Sequence, residues 1–384
     1  MDQAIKITSE LIKRRSVTPN DDGTIDFLRN FLSDNDYACY EIVDNNIRNL
    51  FARWGPKNSK KCLGFNGHVD VVPAGNIDLW DFDPFSGVIS ENYLHGRGAV
   101  DMKSAVAAFS VAAVEYTKRH QPNGSLVITL TSDEEGDALY GTKSILKWMK
   151  KNGETVNHFI VGEPTSQERL GDMIKVGRRG SLTAFLECDG IQGHSAYPHL
   201  AVNPIESINE LIHNLLKNKL DNGSEYFEPS TICCTTIDVG NSANNVIPSR
   251  CSATLNIRFN NLHTSSSIIS LLNQHIKDIE KSHSSKINMK VKVSGEAFIN
   301  GDTHFTRTVA DVIKKSLKIS PILSTSGGTS DARFIKDVAE VLEVGLVGKT
   351  IHQSNEKVAL KDIVSLKNLY KAIITRYFCE DKNI

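Results

Sequence analysis

The chain has 384 residues, 40% hydrophobic and 23% charged, with 26 glycines; at about 150 residues per domain this predicts two or three domains and a sizeable core. A formal net charge of −1 excludes a global field that would draw nucleic acid or an anionic membrane, and leaves a small molecule as the expected partner. The longest apolar run, Ala105 to Val114 with Ser110 inside it, is about half the length of a membrane span, and the opening MDQAIKITSELIKRR lacks the apolar centre of a secretory signal.

The seven cysteines are odd in number and include no CxxC pair, so they predict small hydrophobes in a reducing cytoplasm rather than a disulfide framework. Ala4, Ile7, Leu11 and Ile12 have helical spacing and predict a helix over 2–15, stopped by Pro19. Ile25, Leu28, Phe31 and Leu32 predict a second helix over 24–33. The period then changes, and 37–43, 49–54 and 62–66 read as strands. The third runs into Gly67-His68-Val69-Asp70. At strand period two His68 and Asp70 share a face, so the carboxylate can hold one imidazole nitrogen while the other meets a metal. Taken alone, an HxD is common and reads as structural.

After the turn WDFDPF (80–85) and a hairpin to Leu94 comes HGRGAVDMK (95–103), before a helix with Ala105, Phe109, Ala112, Ala113 and Tyr116 on one face. Asp101 reads there as an N-cap, whereas the glycines flanking Arg97 predict a backbone passing close to something. Ser125 to Thr131, SLVITLT, is a buried strand ending in Thr-Ser-Asp-Glu-Glu-Gly. Ligands in open α/β sheets sit beyond the carboxyl ends of strands. Glu134 and Glu135, adjacent in an extended segment, are expected to point opposite ways, one to a metal and one to a water. Taken alone, a DEE reads as a solvated acidic loop, and partners elsewhere in the chain must overturn that reading.

A helix is expected over 144–150, then a strand over 159–161 ending in Gly162-Glu163-Pro164-Thr165, where Pro164 stops the ladder. From Ile174 to Cys188 the pattern reads as one long strand, followed by a loop over 190–199 that carries His194. A helix (204–216), two strands (231–239 and 251–259), a helix (265–281) and a strand (287–293) complete the split βαβ order. The predicted organisation is a catalytic domain over 1–180 and 295–384 with a second domain inserted at 181–294, its exposed flank offered as a dimer surface. The first domain resumes with a helix over 303–317, a glycine-hydroxyl loop at 324–331 that either cradles a carboxylate or simply turns, a strand over 341–346, a polar loop over 348–356 holding His352, and a helix over 360–378.

The groups at strand ends and in the polar loops are His68, Asp101, Glu135, Glu163 and His352. Two imidazoles and three carboxylates suit zinc, and five ligands serve two ions when one carboxylate is shared. Glu134, beside a ligand, is then the expected base for the attacking water.

In order and context these motifs resemble the zinc-dependent amidohydrolase and peptidase family that includes aminoacylases, acetylornithine deacetylase and succinyl-diaminopimelate desuccinylase. The resemblance runs from RRSVTP at Arg14–Pro19, through GHVD, GRGAVDMK, SDEEG and GEPT, to HQSNE at His352–Glu356. It implies an α/β fold with a mixed-sheet, zinc-peptidase-like catalytic domain and an inserted α+β, ferredoxin-like dimerisation (lid) domain. It also implies a cytoplasmic homodimer with two zinc ions per subunit, cobalt being able to substitute. His68 and Glu163 would hold one zinc, Glu135 and His352 the other, and Asp101 would bridge them. Asp70 would orient His68, Glu134 would act as general base, and His194 in GHSAYP would polarise the scissile carbonyl.

GRRGSL (177–182), ANNVIP (243–248) and SGGTSDARF (326–334) are most similar to the members that remove succinate from diaminopimelate. There Arg178, Asn244, Arg258, Gly328 and Thr329 would address substrate carboxylates, which planar Arg forks recognise bidentately; Arg258 also reads as a strand-surface charge. The family alternatives are an acetylornithine deacetylase or a dipeptidase. An alternative of another class is a non-catalytic metal-binding protein, which the complete ligand set and Glu134 speak against. Ser104 departs from the glycine that the family often has after DMK.

Overall fold

The computed structural model describes residues 1–217 and 219–379. The chain forms two compact units, one of Met1–Val176, Asn300–Ser324 and the chain from Ser330 on, the other of Gly177–Ile299 and Thr325–Thr329. Among the described residues no helix is long and apolar enough to cross a membrane.

The first unit is built on an eight-stranded mixed sheet. Its order is Ala38–Asp44, Ile47–Trp54, Ser125–Thr131, Cys62–His68, His158–Val161, Glu340–Glu343, Met173–Lys175 and Ile322–Ser324. Cys62–His68 lies at the centre, parallel to both its neighbours, and every residue of it and of Ser125–Thr131 is buried. Burial on both faces suits the β-branched run of Ser125–Thr131. The helix Lys103–Thr117 buries thirteen of its fifteen residues and packs against the helices Gln3–Lys13 and Leu360–Cys379. Phe109 stacks on Phe65 with ring centroids 4.3 Å apart, and Tyr370 meets both edge-on, which fixes this helix over the central strand. Ser104 is fully buried and its hydroxyl donates to the Ala99 carbonyl, so the departure from glycine is accommodated by a hydrogen bond.

The second unit has a four-stranded antiparallel sheet in the order Thr231–Asp238, Arg250–Phe259, Gly180–Asp189, Lys286–Gly295. With the helices Pro204–Lys217 and Ser265–His283 it follows the strand, helix, strand, strand, helix, strand order of a split βαβ unit. Leu182, Ala184, Leu186 and Cys188 alternate into one core with Ile208, Leu211, Ile268 and Leu272 of the helices, a period-two face meeting two helical stripes.

The long strand expected over 174–188 is instead three: Met173–Lys175, Gly177–Arg178 and Gly180–Asp189. The breaks fall at Val176 and Arg179, and a glycine opens the strand after each. A Cβ at Gly177 would lie 2.2 Å from the Phe298 carbonyl oxygen, and one at Gly180 2.2 Å from the Phe259 ring, so close packing rather than strand continuity sets these positions. The short helix Ala332–Ile335 also had no counterpart in the sequence reading, because four residues are too few to display a helical period.

Candidate metal centre

The site of the first unit forms where parallel strands end. His68 closes Cys62–His68 and stands in register with Thr131, the last residue of Ser125–Thr131. The turn after Thr131 carries Glu134 and Glu135, and Glu163 follows the strand His158–Val161. A glycine precedes both His68 and Glu163, and each has the same reason. A Cβ at Gly67 would lie 2.9 Å, and one at Gly162 2.7 Å, from Cε of Met102. The glycines therefore let the Asp101 loop close over the strand ends.

Asp101 does not cap the following helix: Met102 is the N-cap, with no side-chain capping bond. The Asp101 carboxylate turns the other way and spans two imidazoles, Oδ1 3.1 Å from Nε2 of His68 and Oδ2 3.3 Å from Nε2 of His352. His352 Nε2 is 2.9 Å from Oε1 of Glu135, and His68 Nε2 is 3.8 Å from Oε1 of Glu163. Ligand atoms of His68, Asp101 and Glu135, and again of His68, Glu134 and Glu163, lie within 4.8 Å of one another. Glu134 groups with Glu163 and Glu135 with His352, yet both carboxylates reach within 4.8 Å of a ring nitrogen of His68.

The electrostatics follow from this crowding. Burial, then the neighbouring Asp101, pushes the Glu163 carboxyl well above its usual range. Glu134 is raised in the same way, first by burial and then by Asp331 and Glu135 against the pull of His68. Burial pushes Asp101 up, but hydrogen bonds from His352 and His68 outweigh it and hold the group below the usual range. The bonds to Asp101 and Glu135 lift His352 to about 10. Carboxylates converging on two imidazoles form an oxygen and nitrogen donor set whose excess negative charge a pair of divalent cations neutralises. The residues present therefore fit such a pair.

Asp70 differs from expectation in the atom it uses. Its main-chain carbonyl, 2.9 Å from Nδ1, holds the His68 ring, while its carboxylate Oδ1 stands 3.7 Å from Nδ1. The strand ends at His68, so period two no longer governs the next two residues. The buried carboxylate instead accepts the main-chain N–H groups of Glu134 (3.3 and 3.2 Å) and Glu135 (3.1 Å), tying the acidic turn to the His68 strand. Burial lifts it to about 6. Asp70→Asn, which replaces one acceptor oxygen by a donor, is expected to slow turnover by about 10–100-fold at saturating metal. Steady-state kinetics showing an unchanged kcat would contradict this.

The remaining expected site residues belong to the second unit. His194 is exposed, on a two-residue strand paired with Val246–Ile247, and its Nδ1 accepts the Ala196 N–H at 3.0 Å. Asn244 is exposed in the turn before Val246. Arg178 is buried, and its Nη1 donates to the carbonyls of Ser326 (3.2 Å) and Gly328 (3.1 Å), which fastens the Gly328-Thr329 loop. Arg258 lies half-buried, opposite Ser181 and Thr231 in the sheet, with Nε donating to Asn256 Oδ1 at 3.2 Å.

Three supports escaped the sequence reading. Asp133, the first acid of the DEE run, turns inward and accepts the N–H groups of Ala138, Leu139 and Tyr140, a loop-closing habit of Asp that the residue type could have signalled. Lys103 is fully buried, and its Nζ donates to the carbonyls of Leu11 (2.9 Å) and Arg14 (2.7 Å) at the end of the first helix. Arg97 and Glu356 form a buried ion pair at 2.7 Å.

Comparison with known proteins agrees with this geometry. Residues 64–376 match the model of peptidase family M20/M25/M40. A succinyl-diaminopimelate desuccinylase of Roseobacter denitrificans is 46% identical over 374 residues, 97% of this chain and 98% of that protein. The chain belongs to peptidase family M20/M25/M40. The M20 fold is matched among solved structures by a metallo-carboxypeptidase of Sulfolobus solfataricus, with a TM-score of 0.81 and 17% identity, covering 98% of this chain and 99% of that one. A dinuclear metal-binding M20 peptidase of Bacillus subtilis matches with a TM-score of 0.73 and 14% identity, covering 98% of both chains. This M20 protein is accordingly a metallo-hydrolase, its mixed central sheet presenting the donor cluster at the strand ends.

Proposed function

We propose that this M20 enzyme hydrolyses N-succinyl-LL-2,6-diaminopimelate to succinate and LL-2,6-diaminopimelate, a step toward lysine and cell-wall precursors, in the cytoplasm. The observation that carries the reading is the end-to-end similarity, 46% over 97% of the chain, to a relative named as a desuccinylase. Zinc fits the His and carboxylate donors, with cobalt as a substitute. His68 and Glu163 would hold one ion, Glu135 and His352 the other, and Asp101 would hold both. When bound, such a pair polarises an amide carbonyl and lowers the pKa of water.

The chain's own groups do the rest. Glu134 takes the proton from the attacking water on its carboxylate and delivers it to the departing amine nitrogen. Asp70 keeps Glu134 and Glu135 in place through their main-chain N–H groups. His194 donates to the developing oxyanion. The substrate has three carboxylates; Arg178, Arg258 and Asn244 recognise them, together with Gly328 and Thr329 in the loop that Arg178 also braces. A homodimer through the second unit is part of the reading, and light scattering that returns a monomer mass would contradict that part.

Proton NMR of metal-loaded enzyme with the succinylated substrate should show succinate and diaminopimelate rising in equal amounts; absence of release contradicts the reading. Arg258→Ala is expected to raise KM about 10–100-fold, the value of one charge-assisted hydrogen bond, with metal content unchanged. An unchanged KM would return Arg258 to the role of a strand-surface charge.

A further inference from the structure

The Gly96-Arg97-Gly98 stretch and Glu356, the end of the His352 loop, have no part in the chemistry above. Yet their side chains, 3% and 0% exposed, meet at 2.7 Å between Nη1 and Oε2. Their other bonds are crossed. Arg97, on the Asp101 loop, donates from Nη2 to the carbonyl of His352 (3.2 Å) and from Nη1 to that of Gln353 (3.2 Å). Glu356, on the His352 loop, accepts through Oε1 the main-chain N–H groups of Val100 (2.8 Å) and Asp101 (3.2 Å). Each charge therefore grips the peptide that carries the other loop's ligand. The Gly96 N–H, which donates to the Glu356 carbonyl at 2.9 Å, continues the pairing of Lys357–Ala359 with Tyr93–His95. Nη2 also reaches the Pro73 carbonyl at 3.4 Å, and the guanidinium lies 5.2 Å over the Trp80 ring.

The backbone of His352 is itself held in an uncommon conformation. Its φ is +60°, a backbone conformation that residues other than glycine rarely adopt and that persists only where neighbours hold it. Arg97 bonds that residue's own carbonyl. An ion pair placed only for stability has a weak rationale, since replacing a buried pair with apolar groups is often neutral or stabilising. A planar fork that must satisfy a carboxylate and carbonyls at once is, by contrast, work that Lys cannot do.

We propose that Arg97 and Glu356 are positioning residues: they set the spacing of Asp101 and His352, and with it the affinity of the metal position formed by Asp101, Glu135 and His352. The inference rests on reading those three as ligands, and its test separates the two.

The metal-free full chain is titrated calorimetrically with zinc alone, as wild type, Arg97→Met/Glu356→Leu, Arg97→Lys and His352→Ala, with circular dichroism reporting the fold. The double variant is expected to keep its fold and its first binding event and to lose about 10–100-fold in affinity at the second. The absorption spectrum of the second cobalt equivalent should change while that of the first does not. Arg97→Lys is expected not to restore the affinity. Should the double variant not fold, Glu356→Gln carries the same test, because an amide offers one acceptor oxygen where the carboxylate uses two. If His352→Ala loses one metal while the clamp variants bind both as wild type does, the clamp is overturned and the ligand reading stands. If His352→Ala itself binds both unchanged, the ligand reading fails and takes the clamp with it.

Discussion

Glu134→Gln is expected to take up its full complement of metal and to hydrolyse substrate about 10²–10⁴-fold more slowly, the usual contribution of a positioned base. Glu134 stands beside His68 and Glu163, with ligand atoms within 4.8 Å, so the geometry alone admits either a base or a further ligand. The roles differ in what the amide removes. Gln keeps the shape and one oxygen but cannot take a proton, so a base is lost with the metal retained. Metal counted by atomic absorption after gel filtration decides between them: loss of one ion from the variant would make Glu134 a ligand, and full activity would remove it from the chemistry.

Asp101→Ala is expected to lose both ions, and with them all measurable turnover, whereas His352→Ala loses one. The difference follows from the two carboxylate oxygens, one 3.1 Å from the His68 ring and the other 3.3 Å from that of His352. Without Asp101 each position keeps only two of its expected protein ligands, fewer than a zinc site ordinarily has. The same counting of metal per chain checks it. If Asp101→Ala retained one ion with near-normal affinity, Asp101 would belong to a single position and the shared-carboxylate reading would fail.

The strand ends were legible in the sequence because composition changes abruptly at each. SLVITLT stops at DEE, and the strand through Cys62 stops at Gly-His, so buried strand and polar site are separated by a single residue step. The supports were not legible, for two physical reasons. Some depend on main-chain atoms, as where the Asp70 carbonyl rather than its carboxylate faces His68; residue type says nothing about which way a peptide turns once a strand has ended. Others depend on long-range closure, as where Arg97 and Glu356 meet across 259 positions of sequence. The glycines at 177 and 180 were visible, but the Phe298 carbonyl and Phe259 ring that make them necessary were not.

The most direct test of the proposed activity compares N-succinyl-LL-2,6-diaminopimelate and N-acetylornithine as substrates for the zinc-loaded enzyme, with Glu134→Ala as the blank. Turnover of the succinylated substrate in clear preference to the acetylated one, abolished in the variant, is the predicted result. Preference for acetylornithine, or equal turnover in the variant, would contradict the substrate assignment or the role of Glu134 respectively.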